Sequence, residues 1–417
     1  MTRLASVPIL LALWGCADDP APTPAIVDPP GVPVVTSTAP RWTAGSGWQV
    51  DTTPVTVLGA DETDPQQQWV WVEAAVRLSN GNVMLATMGA LRLFSAEGKF
   101  LRTVSQSGDG PGEMRMVQSL TVLPGDTVRA SDHMGLRVAT YTGDGTLVRD
   151  ERIDMERYQQ LARWGECDSG VFPDGSRFGC ITDSTIPWSA TNRPNRLVSE
   201  GHTSPGPGLL RQLRRTMVAT PDLSAVHPLG IDGSLESFGV SIPGGDMFVI
   251  HPFHSRSVIV AGGNPMRVAM ARNPEYRIEI WTPTGTLERI IRREGARRAP
   301  NQAELDFART GMLPYLKGAD PATKEKVLAA VPTPDSLPAV TGLAITPAGE
   351  LVVQREGAMI GQASSSWDVF DPEGHWLGSF RLPIHSRLLS IGTDHLVVRR
   401  GGESDDRLIE VYRIRRR

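Results

Sequence analysis

Few side chains in this sequence stand at the spacings that chemistry requires. Two imidazoles lie close together in His251-Pro-Phe-His254, but Pro252 blocks the helical i, i+3 geometry that would aim both at one metal. A serine nucleophile on a sharp elbow needs Gly-x-Ser-x-Gly, a pattern the sequence lacks; Gly45-Ser46-Gly47 is no substitute. Gly108-Asp-Gly-Pro-Gly112 has no Lys-Ser/Thr after it and no helix to supply backbone donors, so it is not a phosphate loop. A calcium site at the centre of a ring would draw Glu, Asn and Asp from several strands, and Glu73 is the one evident contributor. No catalytic residue, metal ligand set or cofactor is therefore assigned. Trp69 and Trp71, with Glu73 and the acidic loop at 59–64, form a candidate interaction face, because aromatic side chains dominate binding hot spots. The competing reading packs both tryptophans in the interior.

Cys167 and Cys180 flank a hairpin whose Pro173-Asp-Gly175 turn brings its arms side by side. A disulfide is expected there; two thiols too offset to bond are the alternative. The third cysteine ends a different kind of segment. Met1 to Gly15 carries Arg3 and then the apolar run Val7-Pro-Ile-Leu-Leu-Ala-Leu-Trp14, shorter than the ~20 residues of a membrane span but suited to a signal peptide. Leu13-Trp-Gly-Cys16 resembles the bacterial lipobox, which implies removal of 1–15 and lipidation of Cys16. A plain secretory signal is the alternative. Residues 16–46 are rich in proline and poor in periodic hydrophobicity, the composition of an extended spacer. The expectation is an exported protein, lipid-anchored to the bacterial cell envelope on its periplasmic or outer side.

The elements that position these residues are strands. Gly 42 and Pro 33 of 417 residues exceed the usual ~12 % combined, which favours many turns. A net charge of −4 and a short basic end at Arg413-Ile-Arg-Arg-Arg417 give no sign of nucleic-acid binding. Period-2 alternation recurs as an inner hairpin in Ala75–Ala86, Ser119–Ala130 and Gly342–Val353, and as an outer hairpin in Leu91–Arg102, Val138–Arg149, Ile278–Arg289 and Trp367–Gly378. Met217–Val226 is a degenerate copy. Two hairpins in series make a four-stranded antiparallel sheet, and a radial array of such sheets is a β-propeller. Units fall near 68–105, 114–153, 160–230, 245–293 and 340–383. The C-terminus supplies three strands of a sixth, and the N-terminal stretch Trp48–Val57 is expected to complete it and latch the ring. A seven-bladed ring or a sandwich is the competing all-β reading. One insertion, at about 300–332, reads as a helical hairpin: Asn301-Gln-Ala-Glu304 is a capping box, and Asp320-Pro321 opens a second helix.

Gly108-Asp-Gly-Pro-Gly-Glu-Met114 followed by Asp132-His-Met-Gly-Leu-Arg-Val138 resembles an NHL repeat, with Gly135 in place of the usual Asn. That resemblance implies structural roles for Asp132 and Arg137, tying outer hairpin to inner. Residues 47–417 are similar to the six-bladed NHL-like or TolB-like propeller lipoproteins of the bacterial envelope. Such a fold hosts unrelated functions, so the activity does not follow from it. The expected function is a membrane-anchored, non-catalytic module that binds a protein, peptide or glycan, with no nucleic-acid partner. The alternative is a calcium-dependent hydrolase or lyase with its site in the central channel.

Overall fold

In the computed structural model, residues 28–417 are described except 44, 70, 133–136, 155, 157–169, 173, 183–207, 244, 254–256, 274, 296–297, 356–363, 384–385 and 402–407, with the side chains of 170–171, 180–182, 208–215 and 231–235 also set aside. Cys16, Cys167 and His254 lie outside the described residues, as does the Cys180 side chain, so neither the lipidation nor the disulfide expectation is addressed by the geometry.

Six sheets form a closed ring. In chain order their strands occupy Val72–Gln106, Val117–Arg152, Gly170–Ile250, Val258–Arg293, Val340–Pro383 and Ser386–Arg416 (blades 1 to 6). Each junction carries its own apolar cluster: Met84 and Leu93 with Val128 between blades 1 and 2, Ile153 with Ala219 between 2 and 3, and Val218 with Met270 between 3 and 4. Ile278 meets Val353 between 4 and 5, Phe380 meets Leu396 between 5 and 6, and Val411 meets Phe94 between 6 and 1. Burial of alternating side chains on both faces of every sheet is what holds such a ring together. The chain is a six-bladed β-propeller.

The N-terminal latch forms as the alternation implies. Trp48–Val50 and Thr56–Leu58 both pair antiparallel with the last strand, Leu408–Arg416. Three departures from the expected layout have physical reasons. The segment assigned to the spacer is partly in the fold: Val34–Ser37 adds a parallel strand to the outer edge of blade 4, with Val35 opposite Ile291. The chain then stays on the ring, where the Trp42 N–H donates to the Leu377 carbonyl at 2.6 Å. Gly47 and Gly378 leave room for the Trp42 ring, since a Cβ on either would come within 2.3 or 2.2 Å of it. The ring therefore begins near Pro33 rather than at 47. Second, blade 3 reaches to Ile250, because Val226–Ile242 is a 17-residue strand that pairs with Gly245–Ile250. Third, blades 3, 4 and 6 carry a fifth strand each, where four were expected.

The insertion is helical. Helix α1 (Gln302–Met312) starts with the capping box, the Glu304 N–H donating to Asn301 Oδ1 at 2.9 Å and the Asn301 N–H to Glu304 Oε2 at 2.8 Å. A 3-10 turn and helix α2 (Pro321–Ala329, capped by Asp320) follow. Met312, Leu316 and Val327 pack on Phe238 and Val240, so the elongated strands of blade 3 carry the pair. Arg298 also grips Glu304, at 2.6 and 2.8 Å. Its guanidinium holds the buried Glu304 carboxyl below the usual glutamate range, helped by the Asn301 N–H and opposed by burial. A carboxyl whose folded pKa is depressed contributes stability above its unfolded value of about 4.3 and loses it as pH falls through the folded value. Acidification below about pH 4 is thus expected to melt the helical pair ahead of the strands. Far-UV circular dichroism checks this, and Glu304→Gln should remove the pH dependence.

Candidate axial binding site

The first strand of each blade starts the sheet order, and first strands touch one another between blades 1 and 2, 2 and 3, 4 and 5, 5 and 6, and 6 and 1. They therefore surround the ring axis. Residues 118–121, 258–261, 342–345 and 388–391 on these strands are half-buried, whereas 74–76 on the first strand of blade 1 are buried. The first and third hairpin turns of the blades lie at one end of the ring, and the middle turns and the connections between blades, with the helical insertion, at the other. Every first strand starts at that second end.

At this mouth the ladder is interrupted in the same way in several blades. The register slips between Val72 and Ala74, between Val117 and Ser119, and between Val340 and Gly342. Each slip is a β-bulge, and the extra residue is Glu73, Gln118 or Thr341. Bulges re-aim a side chain out of the regular alternation and concentrate near sites. Here they bring a carboxylate, an amide and a hydroxyl to the head of three first strands. Glu73 and Gln118 are half-buried and Thr341 exposed; Arg387, second residue of the first strand of blade 6, is exposed too.

The preceding blade clamps each bulge. Arg399 of blade 6 donates from Nη1 to the Val72 carbonyl at 2.9 Å. Asn273 of blade 4 holds both backbone groups of Val340, donating from Nδ2 to its carbonyl at 2.7 Å and accepting its N–H on Oδ1 at 3.0 Å. Met88 of blade 1 forms a bridge with Met116, just before Val117. Pinning from a neighbouring blade makes the mouth rigid, which lowers the entropy lost on binding.

The sequence-predicted face divides. Trp69 is 6 % exposed and packs edge-on against Phe94 between blades 6 and 1, so it offers no surface and is corrected to a core residue. The acidic loop is a local turn, with Asp61 accepting the Thr63 N–H at 2.9 Å and Asp64 capping a 3-10 turn. Trp71 and Glu73 do come together: the indole N–H donates to Glu73 Oε1, and the Arg399 guanidinium lies 4.1 Å over the Trp71 ring. Sequence reasoning missed Gln118, Thr341 and Arg387. The dipeptides Val72-Glu73, Val117-Gln118 and Val340-Thr341, each at the head of a repeat, were the available signal.

The mouth presents donors and acceptors on fixed strands beside a half-buried indole. Such groups can exchange hydrogen bonds with a polar molecule. The described first strands contain one acidic residue, Glu73, and no cluster of His, Cys, Asp and Glu suited to a metal occurs among the described residues. His251 is buried and accepts the Phe253 N–H on Nδ1 at 3.1 Å. Asp132 and Arg137 behave as a structural pair. Both are buried, and Arg137 donates to the carbonyls of Asp109 at 2.9 Å and Glu113 at 3.0 Å, fastening the glycine-rich loop to blade 2. No helix among the described residues is long and apolar enough to cross a membrane.

No known protein-family model matches the sequence, and no curated protein matches it. Among solved structures, it is similar to a Bacteroides fragilis protein described as exported, at 11 % identity over 93 % of this chain and 99 % of that one, TM-score 0.43. A member of the DUF4221 family from Bacteroides vulgatus aligns at 8 % identity over 89 % and 99 %, TM-score 0.45. The virginiamycin B lyase of Staphylococcus aureus aligns at 9 % identity over 88 % and 99 %, TM-score 0.37. The propeller architecture stands on the chain's own strand order, independently of these likenesses.

Proposed function

We propose that the protein is an exported lipoprotein whose propeller is a non-catalytic binding module, holding a protein, peptide or glycan at the axial mouth. The observation that carries this reading is the bulge repeated in three first strands, each delivering a polar side chain to the same end of the axis under a clamp from the blade before. A calcium-dependent hydrolase would need carboxylates from several blades, and the described first strands offer Glu73 alone. For the anchor, the apolar run before Cys16 is the support; several acyl chains on one cysteine would hold the protein stably, where a single chain binds marginally.

Arrays of peptides and glycans probed with the wild type and with the triple variant Glu73→Ala, Gln118→Ala, Thr341→Ala test the site. At about 1 kcal/mol for each hydrogen bond lost, ligands of the wild type should bind the variant roughly 100-fold more weakly. Equal binding by both, or divalent-cation-dependent cleavage of a ligand, would remove the reading. Cys16→Ser is expected to move the protein from the membrane to the soluble fraction of the envelope; retention in the membrane would refute the anchor.

A further inference from the structure

The corner of the mouth between blades 6 and 1 carries a charge that the fold leaves unanswered. Arg387, at the head of the first strand of blade 6, stands directly across the strand pair from Arg399. Like charges in that position repel. Arg399 is buried and committed to blade 1: its Nη1 donates to the Val72 carbonyl at 2.9 Å, and its guanidinium lies 4.1 Å over the Trp71 ring. Arg387 is exposed and makes no ion pair or side-chain hydrogen bond among the described residues. Glu73, the one acidic residue of the described first strands, accepts the Trp71 indole N–H. Two cations thus stand against one carboxylate.

The repeated bulges narrow the class of ligand. An extended peptide is held chiefly by main-chain pairing along a free strand edge, and the first strands turn theirs to the axis. Bulges at Glu73, Gln118 and Thr341 break that edge at the mouth, and bulged edges pair poorly. Side-chain recognition is left. A carboxylate, an amide and a hydroxyl suit the hydroxyls of a sugar, which both donate and accept. A guanidinium fork suits a planar carboxylate. We infer that the ligand of the axial mouth is an acidic glycan, a uronic-acid oligosaccharide, whose carboxylate seats on Arg387 while its hydroxyls bond Glu73, Gln118 and Thr341. The inference rests on the axial binding reading and names its ligand class.

Calorimetric titration of the detergent-solubilised full chain with uronic-acid oligosaccharides of several linkages, each beside its methyl ester, tests this. Esterification removes the charge and keeps the sugar. The wild type should bind an acid on the order of tenfold more tightly than its ester, and Arg387→Gln should bring the acid down to the level of the ester. Arg387→Lys, which keeps the charge without the fork, should recover part of the preference. Acid and ester bound equally, or a preference that survives Arg387→Gln, would overturn the inference. The axial site would still stand if the Glu73→Ala, Gln118→Ala, Thr341→Ala variant weakened that binding. Peptides bound in place of every oligosaccharide would overturn it in the same way. No binding of either class would remove the axial reading as well.

Discussion

Replacing Asp368 with alanine is expected to destabilise the protein by about 3–5 kcal/mol, the cost of breaking a buried ion pair from one side. Asp368 is fully buried in blade 5 and is faced by two cations, Arg293 Nη1 at 3.3 Å and Arg355 Nε at 3.2 Å. Neither nitrogen is aligned for a hydrogen bond, so the attraction is one of charge. The directed bonds come from elsewhere, the Tyr276 hydroxyl at 2.9 Å and the Ser379 hydroxyl at 2.6 Å. Burial and the Asp368 charge push the Tyr276 hydroxyl well above its ordinary pKa, so it remains a donor. Without the carboxylate, Arg293, packed 3.9 Å over Trp376, and Arg355 would face each other uncompensated. Urea denaturation of Asp368→Ala measures the loss; a change below about 1 kcal/mol would mean that water reaches the two arginines. Ser379→Ala, which removes one neutral donor, should cost only about 1 kcal/mol.

The same device recurs. Glu279 in blade 4 and Glu410 in blade 6 occupy the equivalent position of the third strand, and each meets an arginine two residues beyond its cross-strand partner. Arg272 reaches Glu279 at 2.8 Å, and Arg400 reaches Glu410 at 3.2 Å. The corresponding residues in blades 1 to 3 are Arg92, Ala139 and Met217, so one half of the ring is held by this diagonal pair and the other is not.

The second large effect concerns closure. Trp48 is 7 % exposed, stacks on Phe380 with ring centroids 5.9 Å apart, tilts against Trp42 at 6.3 Å, and lies under the Arg416 guanidinium at 4.6 Å. It is where the N-terminal strand, the C-terminal strand and blade 5 meet. Trp48→Ala removes a large core side chain and should cost about 3–5 kcal/mol. Because the strand it anchors closes the ring, limited proteolysis should begin in the latch of this variant. Arg416→Ala, at the exposed ion pair with Glu350 at 2.8 Å, should cost at most about 1 kcal/mol. Denaturation of the two variants side by side tests whether packing or the ion pair holds the latch.

The hairpins, the blade number, the latch and the capping box were legible because each depends on local pattern: alternation, a turn glycine, or residues three apart. Val34–Ser37 was not, since a four-residue strand that pairs in parallel has no hairpin turn to announce it. The end of blade 3 was misplaced because Val226–Ile242 contains Gly230, Gly233 and Gly239, which read as a break although the strand runs through them. At the candidate site, Glu73 and Trp71 drew notice by residue type alone. Gln118 and Thr341 did not, because a bulge is a property of register between two strands and neither strand carries it alone. Trp69 and Trp71, two residues apart, fall on the same side of a regular strand, yet one enters the core and the other lies half-buried against Glu73 and Arg399.

A native mass spectrum of the detergent-extracted protein tests the binding-module assignment most directly. The expected species is an acylated chain beginning at Cys16, without a divalent cation, carrying a ligand that the Glu73→Ala, Gln118→Ala, Thr341→Ala variant fails to retain. A tightly held divalent cation, removable by chelator and needed to convert the bound ligand into product, would contradict it.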